Sequence, residues 1–161
     1  MPTVLEELKE LHSSCNPYCV VTSCRKGRCK IILDILEKIV CIDCDLCGTF
    51  ASEREDNEKR PDFVILYNNS AVSISRWFVI EMKGRVSHPR RIVKQLQEGA
   101  NIIAGNEKFG ISEYRGMLNA FVVRDKHVRA TDFAQRYVSF RGKRSRVVVV
   151  KSPSKLSSLV N

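Results

Sequence analysis

The sequence predicts a single α/β domain built on a mixed β-sheet of about five strands flanked by helices. Three observations predict this class. Residues 63–67 and 77–80 are apolar runs of strand length, the second rich in aromatic and β-branched residues. Directly after them, Ile92, Leu96, Ala100 and Ile103 recur at helical spacing. Further apolar runs, 117–123 and 146–150, then alternate with a short helical stretch, which is the pattern of an α/β sandwich rather than of separate all-helical or all-strand units. At 161 residues with 43% apolar side chains, the chain is long enough to bury a core without staples.

In chain order, residues 3–11 read as a short amphipathic helix, with Leu5, Leu8 and Leu11 on one side and Glu6 and Glu7 near its start. Residues 13–29 carry Asn16-Pro17, Gly27 and four cysteines with little periodicity, and read as loop. From Lys30 the spacing of Ile31, Ile32, Ile35, Leu36 and Ile39 predicts a helix, with Asp34, Glu37 and Lys38 on the other side. Residues 40–50 read as the first strand and 53–60 as a charged loop. Ser87-His88-Pro89 is a helix start, because Pro89 at the first helical position forgoes an N–H that has no intrahelical partner there. Gly105-Asn106 ends that helix. Residues 117–123 are the fourth strand, 131–137 a short helix capped by Thr131, and 146–150 the fifth strand. The domain is thus expected to span 1–151, with a cysteine-rich part at 13–50 and a flexible tail at 152–161. No internal repeat is visible.

The first residues lack a basic segment followed by an apolar one, and no apolar run nears the ~18 residues of a membrane span. A soluble, cytoplasmic protein without a membrane partner is expected. The formal charge is +9, and residues 124–155 hold ten Lys or Arg against two acids, so nearly all of the excess lies in one segment. That asymmetry points to a polyanion such as DNA.

The hairpin at 60–85 carries the residues with the most chemistry. Asp62, Glu81 and Lys83 sit at the outer ends of its two apolar runs, where a covered strand carries charge only if something compensates it. Alternation puts Glu81 and Lys83 on one face and Met82 on the other with Ile80 and Phe78. Two carboxylates from neighbouring strands and one ammonium make a cation site; the plainer alternative is a salt bridge at a strand end.

Pro61-Asp62 followed across a hairpin by Glu81-Met82-Lys83 resembles the signature of the PD-(D/E)XK nuclease superfamily, over about residues 28–124. The resemblance implies a restriction-endonuclease-like core, akin to archaeal Holliday-junction resolvases or RecB-type nucleases. It also implies Mg²⁺ (or Mn²⁺) held by Asp62, Glu81 and the Met82 carbonyl, with Lys83 orienting or activating water. The family often adds an acid from the helix before the first strand, for which Glu37 is the candidate, with Asp34, Glu6, Glu7 and Glu10 behind it. RecB-type members use a Gln on the helix after the hairpin, matched here by Gln95. The implied activity is Mg²⁺-dependent endonucleolytic hydrolysis of DNA, branched or damaged DNA included, by a homodimer where both strands are cut. Arg85, Arg90, Arg91, Lys126, Arg141, Lys143, Arg144 and Arg146 are then expected to face the phosphate backbone.

Two other readings stay open: a catalytically inactive nucleic-acid-binding protein on the same fold, and a cysteine-metal or redox regulator. The second rests on Cys41-x2-Cys44-x2-Cys47, which resembles iron–sulfur or zinc spacing. Related cluster-bearing nucleases place most of their cysteines after the core, and on a strand Cys44 would face away from Cys41 and Cys47. Buried thiols, or disulfides with Cys15, Cys19, Cys24 or Cys29, fit these residues better. His12, His88 and His127 are scattered singly, and no Walker-type glycine loop appears.

A shared cation also demands a register. Asp62 must stand opposite Glu81, so Tyr67 pairs with Arg76 and 68–75 form a wide loop. The competing register turns at Asn69-Ser70, sets Asp62 opposite Trp77 and leaves Glu81 four residues, about 13 Å, away. Both registers keep the same faces inward, so polarity does not choose between them.

Overall fold

The structure, a computed structural model, describes residues 20–47, 60–69, 71, 74–84, 88–105, 117–125 and 129–160. The expected helix at 3–11 and its acids lie outside these residues. In chain order come β1 (Val20–Val21), β2 (Cys24–Lys26), β3 (Cys29–Ile32), a 3-10 turn (Leu36–Lys38), β4 (Ile39–Asp43), β5 (Phe63–Asn69), β6 (Ile74–Lys83) and α1 (Pro89–Gly105). They are followed by β7 (Met117–Arg124), a second 3-10 turn (Ala130–Phe133), β8 (Tyr137–Phe140), β9 (Lys143–Lys151), β10 (Ser154–Lys155) and α2 (Leu156–Leu159).

The expected mixed sheet is present, with seven strands in the order β1-β4-β5-β6-β7-β9-β8. Strand β6 is central; it runs antiparallel to β5 and parallel to β7, which is in turn parallel to β9. Alternation sorts the core into two layers. Val64, Leu66, Trp77, Val79, Leu118, Ala120 and Val122 meet Ile92, Leu96, Ala100 and Ile103 of α1. Ile65, Tyr67, Phe78, Ile80, Met82, Phe121 and Val123 meet Cys24, Cys29, Ile31 and Leu156 on the other side. Each fully buried aliphatic or aromatic side chain contributes roughly 1.5–3 kcal/mol, so the helix at 89–105 is held by its apolar stripe more than by propensity.

Several expectations are corrected. Residues 30–39 are not a helix: Cys29, Ile31 and Leu33 are buried while Lys30, Ile32 and Asp34 are exposed, a period of two that makes β3 a strand paired with β2. The isoleucines fit both periods, and pairing decided. The first large strand ends at Asp43 rather than 50, because the Asp43 carbonyl accepts from Leu46 and Cys47 N–H and its carboxylate from Asp45 N–H, at 3.0–3.1 Å, bending the chain into a turn. The helix expected at 131–137 is only a 3-10 turn, and Tyr137 instead opens β8. The tail is ordered through residue 160: Ser154 and Lys155 pair with Ile31 and Ile32, and Leu156 is fully buried behind them.

Strand β8 lies at a sheet edge, where unpaired backbone groups invite further strands. Gln97 of α1 covers it, its side-chain amide accepting from Ser139 N–H and donating to Ser139 O, both at 2.8 Å. Among the described residues no helix is long and apolar enough to cross a membrane.

Candidate functional site

The β5–β6 register is the one a shared cation requires. Phe63 pairs with Ile80 and Tyr67 with Arg76, and pairing continues to Asn69 and Ile74, so the connection is narrower than the expected 68–75 loop. One step beyond the ladder, Asp62 N–H donates to Ile80 O at 3.0 Å and to Glu81 Oε2 at 3.2 Å. Asp62 Oδ2 accepts from Met82 N–H at 2.8 Å, and Asp62 O from Cys44 N–H at 3.1 Å. The aspartate backbone is therefore pinned between the turn after β4 and the end of β6, with its carboxylate beside Glu81.

Glu81 is 1% exposed, because it lies on the central strand and faces α1. Burial first, and then the neighbouring Asp62 charge, push its carboxyl up to about 7; Lys83, whose Nζ lies 2.8 Å from Glu81 Oε1, offsets this only in part. Asp62 is also raised, chiefly by burial, against the opposing pull of the Met82 N–H and Lys26. A buried and a half-buried carboxylate that each disfavour ionisation are a pair that an added cation relieves.

Lys26, Asp45 and Arg60 complete the charged end of the sheet, and the sequence reading missed all three. Lys26 is hydrogen-bonded to Asp45 and lies 3.8 Å from Asp62 Oδ1, while Arg60 Nε donates to Asp45 Oδ1 at 2.9 Å. Burial pulls the Lys26 ammonium down, but Asp45, Asp62 and Asp43 outweigh it and hold it above its ordinary range. Burial works against the Asp45 carboxylate as well, yet Lys26 and Arg60 hold it below the usual carboxylate range. A signal existed: Lys26 pairs with Cys29 across Gly27-Arg28, a two-residue turn whose first position needs the positive φ (56°) that glycine supplies.

Gln95 is brought to this side of the sheet. Among the described residues, Glu81 and Gln95 are the two buried polar side chains. Gly99, one turn later on α1, lies so close to Pro61 and Val79 that a Cβ there would meet Pro61 Cγ at 2.6 Å. Because α1 leaves the carboxyl end of β6 and returns along it, Gln95 lies about 6 Å from Gly99 toward the Glu81 end. Gly99→Val is expected to lower stability by about 1–3 kcal/mol and to displace the Pro61-Asp62 segment. Chemical denaturation measures the first effect; a wild-type midpoint would show that the contact yields without cost.

Other candidates are not brought together. Glu37 is exposed on the 3-10 turn before Ile39, which pairs with Tyr67, so it stands five residues, roughly 16 Å, along β5 from Asp62. Asp34 is exposed and accepts from Ser157. Arg90 and Arg91 are exposed in the first turn of α1, at the acid-pair end. Arg141, Lys143, Arg144 and Arg146 form the β8–β9 hairpin at the opposite end: Arg144 is stacked over Tyr137, and Arg146 lies five residues, roughly 16 Å, before Lys151. Arg85 and Lys126 lie outside the described residues.

The cysteines divide across the sheet, Cys24, Cys29 and Cys41 on the β3 side and Cys44 and Cys47 on the α1 side. These five, the cysteines among the described residues, are all buried. Its hydrogen bond to Cys41, then burial, push the Cys24 thiol up, and burial does the same to Cys44, so these sulfurs stay protonated. Among the described residues, no group of three His, Cys, Asp or Glu side chains is placed to hold a metal ion. No family model matches the chain, and no curated protein or solved structure matches it either.

Proposed function

We propose that the chain is a divalent-metal-dependent endonuclease that hydrolyses phosphodiester bonds of DNA. The observation that carries this reading is the register that sets Asp62 beside Glu81, with Lys83 on the same carboxylate. The donor set suits the metal: two carboxylates and, by the nuclease resemblance, the Met82 carbonyl are the hard oxygen ligands that Mg²⁺ or Mn²⁺ takes, with waters completing the shell. Bound there, the metal supplies charge stabilisation at the scissile phosphate and an acidified water.

The chain's own residues do the rest. The Met82 N–H and the β4 turn fix Asp62 in one orientation, so little reorganisation accompanies substrate binding. Lys83 places a positive charge at the mouth of the buried Glu81 site, where it holds the attacking water or balances negative charge growing on the phosphate. Gln95, buried on the same side, is a positioning residue for that water or for Glu81.

The test is incubation with supercoiled, linear and four-way-junction DNA, with Mg²⁺ and with chelator. Cleavage of at least one substrate that chelator abolishes is expected. Binding by the folded protein without cleavage of any substrate would instead leave a nucleic-acid-binding protein in which Lys83 and Glu81 are a strand-end salt bridge.

A further inference from the structure

The basic hairpin stands away from the acid pair, and at the acid-pair end Arg90 and Arg91 are exposed in the first turn of α1. The register supplies a further group of cations. Lys83 of β6 pairs with Arg124 of β7, and Arg124 pairs with Lys151 of β9. Three cationic residues thus stand in one row across three adjacent parallel strands, at about 4.8 Å per step. They share a face: Trp77 and Val79 on β6, Leu118, Ala120 and Val122 on β7, and Val147 on β9 all alternate onto the α1 side, as Lys83, Arg124 and Lys151 then do. Glu81 lies on that face, one alternation before Lys83.

Like charges in direct register repel, and Glu81 offsets the charge of Lys83 at the near end of the row. At its far end the row opens into a cleft of about 330 Å³ lined by Arg124, Asp125, Lys151 and Ser152, two positive charges against one negative. Its walls are held in place: Asp125 N–H donates to Lys83 O at 3.3 Å, Ser152 N–H to Arg124 O at 2.9 Å, and Ser152 Oγ accepts from Lys30 N–H at 3.0 Å. The cleft sits outside the carboxyl ends of parallel strands, where open α/β sheets bind their ligands.

We propose that Lys83, Arg124 and Lys151 form a track for the sugar–phosphate backbone, on which Arg124 and Lys151 hold the phosphates flanking the one at Asp62 and Glu81. This rests on the endonuclease reading and names the path of its substrate. The backbone runs across the strand ends, perpendicular to the strands, from the acid pair toward β9. Arg124 offers a planar, multi-donor group suited to phosphate oxygens, and exposed Lys151 a point charge beyond it. Neither touches the reacting atoms; both set affinity and position.

The test uses the full chain and a fluorescent DNA duplex, with binding read by anisotropy in chelator across a salt series and cleavage read in Mg²⁺. For Arg124→Gln/Lys151→Gln, affinity should fall at least tenfold at low salt. The slope of log K against log salt should flatten by about 2, while kcat at saturating DNA stays within about threefold. Lys151→Gln alone, at an exposed position that tolerates substitution, should flatten the slope by about 1, and Arg124→Lys/Lys151→Arg should restore it. Unchanged affinity and slope in a variant of a wild type that binds and cuts overturn the track and leave the nuclease reading standing. A wild type that neither binds nor cuts overturns both, whereas loss of cutting alone in Asp62→Asn, with its slope intact, separates the acid pair from the track.

Discussion

Asp62→Asn and Glu81→Gln are each expected to lower metal-dependent DNA cleavage by about 10²–10³-fold or more while leaving DNA affinity within a few-fold of wild type. Removing one carboxylate takes away one of the two charged ligands that the described residues bring to the site, and neither substitution removes any of the cationic side chains that would attract DNA. Asparagine keeps an oxygen for the Met82 N–H; glutamine keeps one for the Asp62 N–H but turns its NH2 toward the Lys83 ammonium, which swings away, so the backbone bonds are kept in both. Lys83→Ala should also abolish cutting, and for two reasons together. It removes the positive charge at the site, and it leaves the Glu81 carboxyl without its 2.8 Å partner, favouring the protonated form further. Thermal melts of all three variants decide between loss of chemistry and loss of fold. Full activity in any of them removes that residue from the site.

The second large effect is on stability against pH. Burial and Asp62 raise the Glu81 carboxyl from its ordinary 4.5 to about 7. At about 1.4 kcal/mol per tenfold change in proton affinity, that difference corresponds to roughly 3 kcal/mol. The sign follows from which state holds the proton. Between the two values the folded protein keeps it while the unfolded chain has lost it, so metal-free stability is full below about pH 4.5 and falls as pH rises to about 7. Asp62, raised in the same direction, adds to the fall, and Lys83 limits it. Mg²⁺ or Mn²⁺ should reverse the loss above pH 7, raising Tm by several degrees, since about 1 kcal/mol moves Tm by roughly 2–4 °C for a chain of this size. In Glu81→Gln the metal-free loss should largely vanish, making this variant more stable than wild type at pH 8 and insensitive to the metal. A salt bridge kept for stability predicts the reverse, a less stable variant at pH 8, so one melting series with and without Mg²⁺ separates the readings.

These two expectations draw on different levels of the molecule. The residue types and their alternation, legible in the sequence, limit Asp62, Glu81 and Lys83 to one end of a hairpin and put Glu81 on the face of Trp77. Proximity of the two acids was not legible, because both candidate registers satisfy the same period of two. What favoured the observed one is long-range: β4 pairs with β5 from Ile39 to Asp43, Cys44 ties to Asp62, and Gly99 of α1 seats against Pro61 and Val79.

The same division holds along the chain. The helix at Pro89–Gly105, its buried stripe, the strand runs at 63–67, 77–80 and 117–123 and the mixed α/β class were determined by sequence alone, because local period, a helix-start proline and a terminal glycine all agree there. Residues 30–39 and 152–160 were decided only by tertiary structure. Ile31, Ile32, Ile35, Leu36 and Ile39 satisfy the helical period, but the strand at Cys29–Ile32 gains a hairpin partner in β2 and a parallel one in β10, whose Ser154 lies more than a hundred residues away. Leu156, Leu159 and Val160 are too few to announce an element, yet they become core once that strand offers them a surface. Lys83, Arg124 and Lys151 are ordinary surface cations in the sequence, and only the parallel register of three strands makes them neighbours. Local periodicity specifies which face a residue takes; which residues meet depends on pairings between distant segments, and those are settled when the whole core closes.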